Sequence, residues 1–462
     1  MLANQKVHLL DATLREGEQT AGVSFTIDEK IEIAQRLDDV GIDIIEAGHP
    51  LVSKDVFEAV KRIAAERLKA DVLAHARSVR QDIDAAIQCN VDQVGIFLGS
   101  TKRKLESMHI DEGKAIEIAT DAVEYAKDHG LVIRFTAEDG TRAEEPFLEK
   151  LCSAAVEAGA DRICVADTVG CTKPRRMTDL FTRLKGLLKV DMEAHCHNDF
   201  GLAVANTLAA FEGGASFFAV SVNGLGERAG IASLAEVATC FKALYGVDTV
   251  KLDRIFSLTP LIEKYSGIVV SQISPIVGEN AFSHKAGVHT AAVLFDPSTY
   301  EAFPPDLVGR QRQIIVDKYT GKRAVKNRLE RVGVTLTDEQ LSKVVQTIKN
   351  RPEVRNYRDA DLVDLAEKVT GLSFSVEVPR SIEAMMTVKC RSNVYTTSIA
   401  RRIRAVRGIT EVCEISGDFD VEVRILADST QQLNECLEKI RSIEGVEATE
   451  TRLVLKRFPT ED

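Results

Sequence analysis

Two hydrophobic periodicities alternate from the N-terminus to about residue 250. Short runs rich in β-branched residues, such as IDIIEAG at 42–48, are typical of buried strands. Amphipathic helical patterns lie between these runs, and one of them follows Thr26, a favourable N-cap, and stops at Gly41. The predicted strands cover residues 7–14, 42–48, 70–77, 93–99, 131–139, 162–170, 190–199 and 217–226.

Regular alternation of strands and helices predicts a parallel sheet, and eight units of this length are typical of a (β/α)8 TIM barrel. The alternative is an open, doubly wound sheet, which normally has fewer units and a glycine-rich phosphate loop after its first strand. Here the first strand continues into TLREGEQ instead. We therefore predict a barrel domain over residues 1–255.

The pattern changes twice after the barrel. Residues 256–375 show helical stretches with irregular joins, which predict a helical linker region. Residues 380–462 then show a β-α-β-β-α-β order, with a strand at 382–390 and others at 409–416, 420–427 and 448–457. This order predicts a ferredoxin-like α+β domain that is large enough to fold independently.

The composition of the chain indicates which binding partners are improbable and which cellular compartment to expect. A net charge of −11 argues against binding to nucleic acid or to an anionic membrane, because phosphates require a basic surface. The nine cysteines are scattered singly, as in proteins of a reducing compartment. No apolar run approaches the ~20 residues that a membrane span requires. These features predict a cytoplasmic protein.

Polar side chains concentrate at the C-terminal ends of the predicted strands, which is where TIM barrels carry their active sites. Burying so many polar groups together would be costly without a function. The residues at these ends are Asp11, Arg15, Glu16, Gln19, Glu46, His49, His75, Arg77, Arg134, Thr136, Glu138, Asp167, Thr168, Glu193, His195, His197, Asn198 and Asn223.

The segment DMEAHCHND, 191–199, predicts a metal site. Residues two apart in a strand point to one face, so Glu193, His195 and His197 align. Two adjacent imidazoles suit a divalent cation, and a carboxylate from another strand would complete the site. An HxH pair alone is a weak signal, but this one ends a strand and faces TLREGEQ.

Two other polar segments allow more than one interpretation. Arg15 and Glu16 could belong to a solvated loop, but they follow a buried strand, which favours a metal beside Glu16 and an anionic ligand beside Arg15. The segment NGLGERAG, 223–230, is a strand-to-helix turn without dinucleotide-binding spacing, and its N–H groups could bind phosphate. His284 and His289 are not on one helical face, and either could be an ordinary histidine.

Together these motifs resemble a known family. LLDATLREGEQ, HCHND and NGLGERAG resemble the acyl-CoA-condensing barrel enzymes that include isopropylmalate, citramalate and homocitrate synthases. Within that group, GENAFSHKAGVH with PSTYEAFPP, and the strand IRFTAEDGTRAEE, are similar to homocitrate synthases. Ile231 also matches that branch, because isopropylmalate synthases usually have asparagine there.

The resemblance implies roles for individual residues. Metal ligation falls to Glu16, His195 and His197, with Mg, Mn or Zn as the candidate ions. Arg15 would stabilise negative charge on the reacting oxygens. The acid–base set would be His289 and Tyr300 with Glu138. The residues expected to bind the 2-oxo acid are Gln19, His75, Arg134, Thr136, Thr168 and Glu193.

The implied reaction is a Claisen-type condensation of acetyl-CoA with 2-oxoglutarate, which gives homocitrate and CoA and opens the aminoadipate route to lysine. His289 would remove a methyl proton from acetyl-CoA, and hydrolysis of the thioester would release CoA. In this family His289 and Tyr300 reach the barrel of a neighbouring subunit, which implies a homodimer or a higher homo-oligomer.

The C-terminal domain resembles the amino-acid-binding domain of Lrp/AsnC transcription factors, with SGDFDVEVRI at their glycine–aspartate turn. This likeness implies an amino-acid effector such as lysine, although an oligomerisation role is an equal alternative.

Alternative functions differ in how much of the site they use. IEAGHPLVS, which contains His49, is closer to isopropylmalate-type enzymes than to homocitrate synthases. The main alternative is therefore an isopropylmalate, citramalate or longer-chain homologue synthase that uses another 2-oxo acid. A lyase of the same superfamily would not need the HKAGVH linker, and a metabolite-binding regulator would not need Arg15 and the metal set.

Overall fold

The computed structural model describes residues 6–285, 287–351, 356–374, 376, 382–392, 394–427 and 430–455. The chain forms two compact units. The first comprises Met1–Phe282 and Glu301–Arg312, and the second comprises Ser283–Tyr300 and Gln313–Asp462.

The first unit is built on a closed barrel of eight parallel strands, in which each strand pairs with the next along the chain and β8 pairs with β1. This confirms the predicted TIM barrel. The strands are β1 His8–Asp11, β2 Ile44–Gly48, β3 Asp71–Arg77, β4 Gln93–Gly99, β5 Val132–Glu138, β6 Arg162–Asp167, β7 Asp191–Cys196 and β8 Phe217–Val220.

Helices follow the strands. The predicted start and stop of α1 are both found: Thr26 forms a capping box with Glu29, and Gly41 ends the helix in the left-handed region at φ 95°. The helices of this unit are α1 Ile27–Val40, α2 Lys54–Ala65, α3 Arg80–Cys89, α4 Lys102–Ser107, α5 Glu112–Asp128, α6 Glu145–Glu157, α7 Pro174–Leu188, α8 Ala203–Glu212, α9 Leu234–Tyr245, α10 Leu252–Ile255 and α11 Leu258–Ser266.

The barrel has an apolar layer on each side of its wall. A small interior cluster includes Leu10, Ile44 and Leu73, whereas Leu9 and Ile45 belong to the large core between the strands and the helices. Because side chains alternate along a strand, Glu46 lies on the interior side with Ile44. The interior therefore changes from apolar to charged within two residues of β2.

The second unit contains two separate apolar cores. One core holds α13 to α15, and the other lies between an antiparallel sheet of order β12-β13-β11-β14 and two helices. The elements are β9 Ser283–His284, α12 Gly287–Phe295, β10 Gln313–Ile314, α13 Lys322–Arg331, α14 Asp338–Lys349, α15 Asp359–Thr370, β11 Ile382–Cys390, α16 Thr396–Arg404, β12 Ile409–Glu414, β13 Val421–Ala427, α17 Thr430–Arg441 and β14 Val446–Leu453.

This sheet and its two helices confirm the predicted C-terminal ferredoxin-like fold. The predicted domain limits at 375 and 380, and the predicted strand end at 457, lie outside the described residues. Within the part of the chain that the structure describes, no helix combines the length and apolar character needed to span a membrane.

Asp167 ties together three segments at the C-terminal end of the barrel, namely the 3₁₀ turn after β5, the loop after β6 and helix α8. Its buried carboxylate accepts hydrogen bonds from the Thr141 hydroxyl at 2.9 Å, from the Thr172 hydroxyl at 2.9 Å and from the Asn206 amide at 3.3 Å. A sequence-predicted rim residue therefore has a structural role in fixing these segments.

We expect Asp167→Ala to lower the free energy of unfolding by about 3 kcal/mol, because it leaves several buried donors without an acceptor. Urea unfolding followed by circular dichroism measures the change. The control is Asp128→Ala, at an exposed position of α5, which should have almost no effect. Equal effects of the two substitutions would contradict this role of Asp167.

Candidate active site

Three potential metal ligands converge at the C-terminal end of the barrel. Glu16 follows β1, His195 lies in β7, and His197 follows β7 in a single bridge to Ile231. The Nε2 atoms of His195 and His197 each lie 3.9 Å from a carboxylate oxygen of Glu16. One potential ligand atom from each residue lies within 4.8 Å of the other two.

The protonation states of this cluster favour cation binding. Burial and the neighbouring His197 lower the pKa of His195 to about 3, and burial also lowers the pKa of His197. Burial alone would raise the pKa of Glu16, but Arg15, the two histidines and the Glu227 N–H together outweigh burial and bring this pKa to about 2. Near neutral pH the cluster therefore offers two neutral imidazoles and one carboxylate, which are the forms that bind metal.

Two groups hold Glu16 in place. The Arg15 guanidinium pairs with its Oε2, and the backbone N–H of Glu227 donates to its Oε1 at 3.2 Å. Thr20 fixes the turn that contains Glu227, because its hydroxyl bonds both the N–H and the carbonyl of Gly226. The GLGERAG segment thus orients Glu16 through its backbone.

Charged side chains continue from Arg15 into the barrel as an alternating row, which we call the interior ion-pair chain. Its members are Arg15, Glu46, Arg134, Glu193 and Arg162. The successive closest N–O distances are 2.7, 2.6, 3.1 and 2.7 Å. Each buried charge in this ion-pair chain has a partner of opposite sign, so these side chains can remain charged in the barrel interior, where an unpaired charge would be destabilising.

Glu46 is the branching point of this chain. Its Oε2 accepts a hydrogen bond from Nε of Arg15 at 2.7 Å, and its Oε1 lies 2.6 Å from Nη2 of Arg134 and 3.1 Å from Nδ1 of His75. Burial opposes its ionisation, but the two arginines lower the pKa of Glu46 well below its ordinary value. One carboxylate therefore positions three polar side chains from three other strands or loops.

The region around Arg134 has unused hydrogen-bonding capacity. Among the described residues, Nε of Arg134 and the hydroxyl of Thr136 are buried and lack a hydrogen-bond partner. Arg134 stays charged, because Glu46 and Glu193 outweigh its burial and raise its pKa. Burial and the charge of Arg15 lower the pKa of His75 to about 4, so its ring is neutral. Because the charged Arg134 and the neighbouring Thr136 both have a buried donor without a partner, this region is suited to an anionic ligand.

The other predicted substrate-binding residues, Gln19, Thr168 and Glu193, differ in their exposure and in their hydrogen bonds. Gln19 ends a short 3₁₀ helix and is exposed, and the hydroxyl of Thr168 accepts from the Asp139 N–H at 2.9 Å. Glu193 accepts from Arg134 and Arg162, which occupy both of its oxygens. The contact of Glu193 with a substrate remains a prediction, and its ion pairs indicate that it positions Arg134.

The predicted acid–base residues lie in different units. The ring of His289 in α12 lies against that of Tyr300, with centroids 4.1 Å apart and the planes tilted by 31°, and both side chains are exposed. Glu138 ends β5 in the first unit and accepts a hydrogen bond from Nζ of Lys104 at 2.6 Å. The structure brings His289 and Tyr300 together, while their partnership with Glu138 remains a prediction.

His49 and Ile231 are the two positions at which homocitrate synthases and isopropylmalate synthases are expected to differ, and the structure shows the contacts of both. Nε2 of His49 lies 2.6 Å from Oδ2 of Asp82, and the ring meets that of His75 edge-on with centroids 5.9 Å apart. Ile231 is buried in the interior apolar cluster beside His197. An isoleucine side chain there adds no ligand atom.

The sequence analysis assigned no role to Glu46, Arg162 or Lys104. Period-two alternation along β2 could have indicated Glu46, because Ile44 and Glu46 share one face. Arg162 begins β6 and therefore lies away from the C-terminal rim of the barrel. Lys104 lies in a helix, and no local pattern links it to Glu138.

Comparison with known families assigns each part of the chain. The family described as HMGL-like matches residues 6–262. The family described as homocitrate synthase post-HMGL domain-like matches residues 276–356, and the Lrp/AsnC ligand binding domain matches residues 383–461.

Solved structures similar to this chain include the HMG-CoA lyase of Bacillus subtilis, at 19% identity and a TM-score of 0.54, covering 59% of this chain and 97% of the lyase. The Brucella melitensis HMG-CoA lyase is also similar, at 18% identity and a TM-score of 0.51, covering 57% of this chain and all of that one. At these identities the likeness concerns the barrel fold alone.

Similarity to curated proteins extends over the whole chain. The homocitrate synthase of Sulfurisphaera tokodaii is 48% identical over 459 residues, which cover 98% of this chain and all of that protein. The homocitrate synthase of Sulfolobus acidocaldarius is 46% identical over 468 residues, which cover 99% of this chain and all of that protein. With its HMGL-like barrel and its Lrp/AsnC domain, the chain therefore belongs to the homocitrate synthase family.

Proposed function

We propose that this protein is a homocitrate synthase that condenses acetyl-CoA with 2-oxoglutarate and water to give homocitrate and CoA. The observation that carries the proposal is that two groups occur in one barrel. The first is the cluster of Glu16, His195 and His197 beside Arg15. The second is the buried guanidinium of Arg134, whose Nε lacks a hydrogen-bond partner, as does the nearby Thr136 hydroxyl. The metal cluster with Arg15 is suited to activating a carbonyl group, and Arg134 with Thr136 is suited to binding a carboxylate of the acceptor. The full-length relatives named above support the same reaction.

The residues present fit a divalent cation such as Mg, Mn or Zn. Glu16, His195 and His197 would hold it, and three protein ligands leave positions open for a substrate. When bound, the cation would supply Lewis-acid polarisation of the acceptor's keto group.

Arg15 and the linker histidine have separate tasks in this proposal. Arg15 is fixed by Glu16 and Glu46, so its guanidinium is already in place to stabilise negative charge on the oxygen of the reacting carbonyl. His289, whose ring contacts that of Tyr300, would take the proton from the acetyl methyl group. The methyl carbon then bonds to the keto carbon, and water hydrolyses the thioester to release CoA and a carboxylate.

Binding of 2-oxoglutarate would use the charged part of the interior. Arg134, with Thr136 and His75 beside it, would hold a carboxylate of the acceptor. A neutral acceptor tail, such as the isopropyl group of 2-oxoisovalerate, would leave Arg134 and Thr136 without a polar ligand. The acceptor site therefore favours a dicarboxylate over the acceptors of the alternative synthases.

We also propose a homodimer or higher homo-oligomer in which α12 contacts a second subunit. Val288 and Phe295 of this helix are 76% and 86% exposed within the chain, and His289 and Tyr300 are exposed beside them. Apolar side chains grouped in this way favour burial against a partner.

Regulation and compartment follow from other parts of the chain. The Lrp/AsnC ligand binding domain supports an amino-acid effector, and we propose lysine, the end product of the route that this reaction would open. All nine cysteines lie in the described part of the chain and are free thiols, which supports a cytoplasmic location.

Metal removal tests the first part of the proposal. A chelator should abolish thiol release from acetyl-CoA, and an added divalent cation should restore it. Glu16→Gln should weaken cation binding, measured by calorimetry, by about 10- to 100-fold, because it removes the only anionic ligand. The exposed control Glu157→Gln should bind the cation normally. Full activity in the presence of the chelator would reject the metal.

A panel of 2-oxo acids tests the acceptor. Thiol release should be fastest with 2-oxoglutarate and slower with pyruvate, 2-oxoisovalerate and 2-oxoadipate, because Arg134 requires a carboxylate at the right distance. The measurement is kcat/KM for each acid with a thiol-detecting reagent. A preference for 2-oxoisovalerate or pyruvate would overturn the acceptor and retain the reaction class.

Lysine titration tests the effector. Lysine should inhibit thiol release by the full chain, whereas leucine should not. A chain that ends at residue 376 should keep its activity and lose this inhibition, because the effector domain is absent. Calorimetry of the full chain with lysine gives an independent reading of binding. Equal inhibition of both chains would place the lysine site outside the C-terminal domain.

A further inference from the structure

Gly95, in the middle of β4, lies between two polar residues of the neighbouring strands. It pairs in register with His75 of β3 on one side and with Arg134 of β5 on the other. Residues in register on parallel strands point to the same face of the sheet, and His75 and Arg134 both point into the barrel toward Glu46. A side chain at position 95 would therefore also point inward.

The guanidinium of Arg134 occupies the space that such a side chain would need. A Cβ added at Gly95 would lie 2.4 Å from Nη2, 2.9 Å from Cζ and 3.0 Å from Nε of Arg134, and these are the three nearest atoms. Nη2 reaches across Gly95 to within 3.2 Å of Nδ1 of His75, on the far strand. Because position 95 lacks a side chain, Arg134 can span β4 and contact residues of β2 and β3.

Arg134 has little freedom to move away from an added methyl group. Its side chain is 2% exposed, and it is held at 2.6 Å by Glu46 and at 3.1 Å by Glu193. Real Cβ atoms essentially never approach other atoms as closely as 2.4 Å, so the guanidinium would have to shift from the position in which both carboxylates hold it. A displaced guanidinium would no longer present its donors at the same depth in the barrel.

The backbone itself does not require glycine at this position. Gly95 is absent from the glycines that adopt a positive φ, so an L-residue fits its extended conformation. The requirement for a missing side chain thus comes from the surroundings of position 95, where the three nearest atoms all belong to Arg134.

We propose that Gly95 is a specificity-determining position, which selects a dicarboxylate acceptor by letting the Arg134 guanidinium lie across β4. This inference rests on the proposed function, in which Arg134 holds a carboxylate of 2-oxoglutarate. Any larger residue at 95 moves the cation, and with it the depth at which the acceptor's second carboxylate is bound. Gly95 is a positioning residue, since it touches Arg134 and acts on the substrate only through it.

The test is Gly95→Ala in the full chain, loaded with the activating divalent cation. The dissociation constant for 2-oxoglutarate, measured by calorimetry, should rise by about tenfold or more, since a charge-assisted bond is misplaced. The dissociation constant for the cation alone should not change, because Gly95 does not contact the metal cluster. Gly186→Ala is the matched control, because its added Cβ meets nothing within 4 Å, and it should bind 2-oxoglutarate normally.

A second pair of variants keeps the test decisive if Gly95→Ala fails to fold. Arg134→Ala removes the group that the new methyl would meet, so adding Gly95→Ala to it should change neither the melting temperature nor the remaining affinity for 2-oxoglutarate. A further loss of affinity in the double variant would show that Gly95 acts independently of Arg134 and would overturn the inference.

The outcomes separate this inference from the proposed function. If the unmodified enzyme prefers 2-oxoglutarate but Gly95→Ala binds it with unchanged affinity, the role of Gly95 is wrong and the function stands. If the unmodified enzyme prefers another 2-oxo acid, the proposed acceptor is wrong, and the inference drawn from it also fails.

Discussion

The carboxylate of Glu46 is the interaction on which the rest of the site depends. It is fully buried, and it is shared by Arg15, His75 and Arg134. A buried carboxylate without these partners would be protonated, and the two arginines without it would repel each other. One anion at the end of β2 therefore fixes both the arginine beside the metal cluster and the arginine in the proposed acceptor pocket.

This arrangement explains how the barrel can hold so many charges in its interior. Cations and anions alternate from Arg15 to Arg162, so each charge is compensated within hydrogen-bonding distance. The rigidity of such a network also prepares the site for its chemistry, because fixed donors need no reorganisation when charge develops on a substrate. Gly95 contributes by leaving out a side chain, which is as necessary to the network as the charges themselves.

The two ends of the chain serve different purposes on independent apolar cores. The barrel positions its polar groups at and beyond the C-terminal ends of rigid strands, and Asp167 joins the segments that carry Thr141, Thr172 and Asn206 by hydrogen bonds. The C-terminal sheet has its own core, in which Met386, Val423 and Ile403 are fully buried. A domain with a separate core can respond to an effector without disturbing the packing of the barrel.

The sequence by itself determined the barrel, its strand order and the C-terminal α+β fold, because strand and helix periodicities are local properties of the chain. It also indicated Glu16, His195 and His197, since carboxyl ends of parallel strands meet at one rim. Only the tertiary structure decided that Glu46 links three side chains, that Glu193 is bound by two arginines and that Arg134 lies across Gly95. These contacts join residues from 29 to 88 positions apart, so they depend on how neighbouring strands stand in register, which no local pattern encodes.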